Sequence, residues 1–265
     1  MKILKRNISI LACAILALCP QHLAAEPEPT IDEYLSLITE LKSYRVPKVS
    51  VGGISSGFGA SKGSKFVAVS YTNKDTQTGG KDDDGSIALG FGFGNPVDGV
   101  GLEATIGITS VSTTLWGDGK FGDEGNISVK VHKQVDFNEI FDAASVAFGI
   151  SNLAGWGSTT ENPKNYNLSF TGLSYLGSAD TVGLMLTAGY GTAVSDVETT
   201  GSFFAGAGVG NSNFSASIST PGDELWLSGT WFPDVLSGSS LSVSVADVTN
   251  EQSRKRTIIT FGKSW

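Results

Sequence analysis

Val100-Gly101-Leu102-Glu103-Ala104-Thr105-Ile106-Gly107-Ile108-Thr109 is the stretch whose reading decides the fold. Even positions are apolar and odd positions are small or polar. That period of two puts alternate side chains on opposite faces of a strand. The pattern recurs along the chain. Ile87, Leu89, Phe91 and Phe93 alternate with Ser86, Ala88, Gly90 and Gly92. Ile127, Val129 and Val131 alternate with Ser128, Lys130 and His132, and Val146, Phe148 and Ile150 with Ser145, Ala147 and Gly149. Tyr166 to Thr171, Val182 to Tyr190, Leu241 to Ala246 and Ile259 to Trp265 repeat it. With segments near 65–73, 201–209, 213–219 and 223–232 the pattern predicts twelve strands, in a range of 10–14. The stretch 49–54 is a further candidate. Short strands at even spacing mean an all-β sandwich or barrel.

The composition of the two faces chooses between these. A soluble surface carries roughly 25–35% charged residues. Here the non-apolar face is Gly, Ser, Thr and Ala, while charge collects between strands, at Lys81 to Asp84, Asp118 to Glu124 and Glu251 to Arg256. This favours an antiparallel transmembrane β-barrel over residues 49–265, with lipid outside and a small-polar lumen inside. A soluble secreted sandwich is the alternative. If both ends of the barrel domain lie on one side, the opposite connections fall near 74–85, 112–125, 152–165, 192–200, 220–223 and 248–256. They are mostly longer and more acidic than the rest. The tight 220–223 turn breaks that rule.

Upstream, Lys2, Lys5 and Arg6 precede an apolar run, Ile8 to Leu18, and His22-Leu23-Ala24-Ala25 offers a small-residue cleavage site. This is the pattern of a secretory signal peptide over residues 1–25. Without it the chain has 15 basic and 26 acidic residues, a charge of −11. Such acidity argues against nucleic acid as a partner. Both cysteines, Cys13 and Cys19, leave with the signal, which removes thiol and disulfide chemistry. Residues 26–48 read as an acidic leader and one amphipathic helix. Thr30 and Glu33 form a capping box, and Ile31, Tyr34, Leu35, Ile38 and Leu41 share a face. The helix ends near Tyr44 and is expected to dock at the mouth of the barrel.

Ile258-Ile259-Thr260-Phe261-Gly262-Lys263-Ser264-Trp265 resembles the terminal strand of Gram-negative outer-membrane proteins. Gly90-Phe91-Gly92-Phe93-Gly94-Asn95-Pro96 and Ala246-Asp247-Val248-Thr249-Asn250 resemble uncharacterised Gly-rich outer-membrane β-barrel proteins of Gram-negative bacteria. The resemblance implies an outer-membrane location and the barrel-insertion machinery as a partner during biogenesis. It implies no activity.

The chemistry-bearing residues are few. His132 is the only histidine after the signal, and no serine stands out as its partner, so a hydrolytic triad is not expected. Pairing of residues 99–111 with 125–134 would gather Glu103, Lys130 and His132 on the lumenal face, as a polar constriction or a structural charge pair. Trp226, Trp231, Phe261 and Trp265 lie near strand ends, where aromatic girdles meet the membrane interface. Trp116 and Trp156 fall in long connections. Lys81-Asp82-Asp83-Asp84-Gly85 lacks the ligand spacing of a calcium loop, and no metal or cofactor is expected. The expected function is a small-solute channel that works without enzymatic chemistry. The alternative is a closed structural or interaction barrel.

Overall fold

The computed structural model describes residues 47–73, 84–109, 121–137, 139–176, 181–192, 194 and 201–265. These residues belong to one unit, Pro47–Trp265. The signal peptide, the acidic leader and the amphipathic helix lie outside them.

Twelve strands form. They are β1 Lys65–Thr72, β2 Asp84–Gly94, β3 Gly101–Ile108, β4 Gly125–Val135, β5 Ala143–Trp156 and β6 Asn165–Leu176. There follow β7 Val182–Gly191, β8 Ser202–Gly210, β9 Phe214–Pro221, β10 Trp226–Trp231, β11 Ser239–Ala246 and β12 Arg256–Ser264. Each pairs antiparallel with its neighbours in sequence. The ring closes where β1 meets β12, from Phe66 opposite Ser264 to Thr72 opposite Ile258. Closure leaves no strand edge exposed. It also overturns the sandwich alternative, which needs two open sheets.

Register fixes the sidedness. Glu103 pairs with Gly92 and Lys130, and Ser228 with Ser217 and Ser244, so one parity faces inward all the way round. Apart from glycine and proline, the buried apolar residues among those described are Ala144, Ala147, Phe204 and Ala246. Ser145, Ser169, Thr171, Thr187, Ser215 and Ser219 are buried too, so the interior is chiefly polar. The bulky apolar side chains point outward and stay exposed, with Leu168 at 60% and Phe203 at 77%. That is the inverse of a soluble β domain.

Strand ends follow turn chemistry. Gly94 stops β2 with φ at 70°, and the Asn95 carboxamide turns the chain by accepting from Val97 N at 3.0 Å. Asn211 does the same between β8 and β9, accepting from the backbone N of Asn213 and Phe214. The side with these two turns also holds the start of β1 and Trp265. We call it the near end.

Three expectations need correction. Residues 49–54 form no strand. The approach to β10 is not a strand from 223, because Gly222 and Asp223 still belong to the turn after β9, and the strand starts at Trp226. Trp156 is not in a connection but ends β5, its Nε1 donating to Gly122 O at 2.8 Å. The extra length of β5 is a bulge, with the register against β4 shifting between Ile127 and Val129. Trp116 lies outside the described residues, as does the 81–84 acidic stretch save for the backbone of Asp84.

Candidate functional site

A twelve-strand barrel is wider than the eight-strand ring that side chains just fill. The inward face of this one is small, so the space must hold something else. It holds its own chain. Residues 47–64 run inside the wall as an irregular strap, with no ladder of their own.

The strap begins at the near end, where Lys48 N donates to Asn211 O at 2.9 Å. Its first limb follows β9 and β10. Ser50 Oγ bonds Ser215 Oγ at 3.0 Å and Thr230 Oγ1 at 2.9 Å. Gly52 N donates to Ser217 Oγ at 3.2 Å, and its carbonyl accepts from Ser219 Oγ at 2.6 Å. The crest is Gly53, against the Trp226 ring, followed by Ile54 and Ser55. The strap has then crossed to β5 and β6, where Gly57 N donates to Thr171 Oγ1 at 2.8 Å and Gly57 O accepts from Ser145 Oγ at 2.7 Å. The second limb returns past β4, β3 and β2. Lys62 N reaches Gly94 O at 2.9 Å just before β1 starts.

Backbone groups away from bulk water need partners, and an irregular segment cannot supply its own. The inward serines and threonines supply them. At Gly57 the approach is so close that a Cβ would sit 2.7 Å from Thr171 N and collide with Ser145 O. Only glycine fits there.

Glu103, Lys130 and His132 meet on the second limb. Lys130 Nζ lies 3.7 Å from Glu103 Oε1 and donates to Phe58 O at 3.3 Å. Glu103 Oε2 accepts from Ala60 N at 2.8 Å. His132 Nε2 lies 3.0 Å from Ala60 O. A carbonyl only accepts, so the imidazole carries its hydrogen on Nε2. The ring is buried, and Gly101 and Gly59 leave room for it on either side. The three side chains thus grip strap backbone from Phe58 to Ala60.

A second cluster lies at the far end and was not anticipated. Glu224, fully buried, takes a two-pronged contact from Arg256, Nη1 to Oε1 at 3.1 Å and Nη2 to Oε2 at 3.2 Å. Trp226 Nε1 donates to the same carboxylate at 2.8 Å, and the Arg256 guanidinium sits 5.5 Å from the Trp226 ring centre. Trp226 therefore faces inward, beneath the crest, and is no interface aromatic. Its parity decides this, since it shares a face with Ser228 and Thr230. Trp231, Phe261 and Trp265 point outward near the near end, all exposed. The sequence did hold a signal for the far-end cluster. Arg256 shares the inward parity of Ile258 and Thr260, and a buried charge requires a partner.

The strap does not cover the whole wall. The inward residues Thr260, Ser70, Ser86 and Ala88 on β12, β1 and β2 remain half-exposed. Ser70 Oγ and Thr260 Oγ1 bond each other across the closing seam at 3.0 Å. Among the described residues no cluster of His, Cys, Asp and Glu is suited to a metal ion.

No protein-family model and no curated sequence matches the chain. Solved structures resemble it at low identity. A KdgM porin in complex with disordered oligogalacturonate aligns at 10% identity over 76% of this chain and 98% of its own, with a TM-score of 0.48. An outer-membrane channel from Pseudomonas putida F1 aligns at 10% identity over 78% and 97%, with a TM-score of 0.44. A mutant porin of Rh. blastica aligns at 11% identity over 82% and 100%, with a TM-score of 0.28. At these scores they add nothing to the topology already described.

Proposed function

We propose that the chain is an outer-membrane barrel through which small solutes diffuse, with the 47–64 strap narrowing the passage. The observation that carries this is the contrast between the two faces of β12, β1 and β2. Outward, Val69, Leu89, Ile259 and Phe261 present hydrocarbon to their surroundings. Inward, Thr260, Ser70 and Ser86 remain open to solvent inside a closed ring. Only a wall between lipid and water wants both. In such barrels the short turns lie on the periplasmic side, so the near end faces the periplasm and the longer connections face outward. On this reading the strand from Ile258 to Trp265 is what the insertion machinery engages.

The Glu103–Lys130–His132 cluster then acts through the strap and does not line the passage as a filter. It holds one limb against the wall and leaves the opposite side free. The test is conductance of the folded full chain in planar bilayers. Discrete steps are expected, and they should grow when residues 48–62 are replaced by a short glycine-serine linker. Absence of steps, with a folded barrel verified by heat-modifiable gel mobility, would sink the channel.

A second reading draws support from how firmly the strap is held. Ser145 and Thr171 have no exposed surface beneath it. A barrel so filled could serve as a closed scaffold whose far-end loops bind a partner. The same recording separates the two, since the channel conducts with the strap in place and the scaffold only once the strap has been replaced.

A further inference from the structure

Between the crest of the strap and the wall lies a cavity of about 320 Å³, in the far half of the lumen. Its lining includes Gly53 and Ser55 from the strap, Ser151 from β5, Asn165 and Asn167 from β6 and Phe204 from β8. Three properties of this lining point the same way. It contains no Asp, Glu, Lys or Arg. It offers hydroxyls and carboxamides, which both donate and accept. Among the described residues, none of the Ser55, Ser151, Asn165 and Asn167 side chains is engaged by another protein group, and the carboxamide oxygen of Asn167 is buried without a partner.

That last property contrasts with most of the strap's course. Along the two limbs strap backbone takes up many inward hydroxyls, as at Ser145, Thr171, Ser215 and Ser219, while Ser169 and Ser228 Oγ are, like Asn167 Oδ1, buried without a partner. Here the strap turns away at Gly53 and leaves the wall's polar groups unused. Buried acceptors without partners are rare in folded proteins and mark places that a ligand or water must complete. Phe204 adds an apolar surface at one side, 4% exposed. The volume holds several waters, so a small solute can enter.

We infer that this cavity is a binding subsite for a neutral polyhydroxylated solute, of the class of an uncharged mono- or disaccharide. The inference builds on the channel reading and gives it a solute class. A ring of hydroxyls matches the serine and asparagine groups of the lining, with its apolar face against Ile54, Val194 and Phe204. A carboxylate or an amine would be desolvated there with no counter-charge, which disfavours both.

The experiment is calorimetric titration of the folded full chain in detergent micelles with glucose, then maltose, with glucuronate and choline as charged probes. Saturable binding of a neutral sugar is expected, with none for the charged probes. Asn167→Leu should weaken it about tenfold, the ratio that one lost hydrogen bond to a buried group produces. Asn165→Leu serves as an independent variant if the first does not fold, judged by heat-modifiable mobility. No saturable heat with either sugar overturns the inference, as does equal binding of glucuronate. Binding in micelles needs no conduction. Sugar binding without current steps removes the channel alone, and current steps without sugar binding remove the subsite alone.

Discussion

Gly101 shows how much one missing methyl can decide. Its neighbour across β3 and β4 is His132, and a Cβ at Gly101 would run into the imidazole at Nε2 and Cε1. The ring could not then stay where it meets Ala60 O. Gly101→Ala should therefore free the second limb of the strap at that point. The cost should be about 1–3 kcal/mol, typical of overpacking a filled site. Urea unfolding of the reconstituted protein checks this, and His132→Ala in the same background should recover part of the loss by reopening the space. Strand parity alone put Glu103, Lys130 and His132 on one face in the sequence, because it needs no tertiary knowledge. It could not say that they hold backbone. The groups they hold belong to Phe58 and Ala60, whose position depends on where an irregular segment goes.

Elements differ in how far local pattern determines them. The strands were legible because their alternation is repeated and strict, and Val182 to Tyr190 became β7 nearly as read. The strap was not, because Val49 to Ile54 has some strand-like alternation but no neighbour left to pair with once twelve strands have closed. Its backbone is satisfied by wall hydroxyls instead, an outcome set by the whole ring. The bulge in β5 was equally hidden. It rests on Asn152, which adopts φ of 54° and donates from Nδ2 to Asn162 O at 2.6 Å and to Thr159 O and Pro163 O at 3.3 Å. Asparagine tolerates that left-handed backbone better than most residues. Asn152→Ala removes the donor from three carbonyls and should cost about 1–3 kcal/mol. The unfolding midpoint should fall while single-channel conductance stays as it was, since the bulge lies away from the seam. A conductance change would mean that the bulge shapes the passage.

For the molecule as a whole, sidedness governs everything else. Val243 sits mid-strand on β11 with its side chain outward and 46% exposed, whereas Thr260, on the adjacent strand, points inward. Val243→Arg should destabilise the barrel in vesicles by roughly 2–4 kcal/mol, the cost of a guanidinium near the bilayer midplane. Thr260→Arg should cost little in unfolding experiments and should instead reduce conductance, because its charge enters water. Equal unfolding penalties for the two would contradict the assignment of faces. The sequence carried this assignment through the scarcity of charge on the small-residue face. It misjudged Trp226 by reading position near a strand end in place of parity.

Both limbs of the strap leave by one opening. Lys48 lies beside Asn211 and Lys62 beside Gly94, turns on the same rim. The segment is thus a bight tucked into a ring and not a thread passed through it. A rope laid so can be drawn out with the ring still whole. No rung between neighbouring strands need break for the lumen to empty, and a pull on the Pro47 side would first act on the Lys48 N–Asn211 O bond and then on the hydroxyls that hold the strap. Sealing the cylinder and filling it are separable events, and the filling one can be undone.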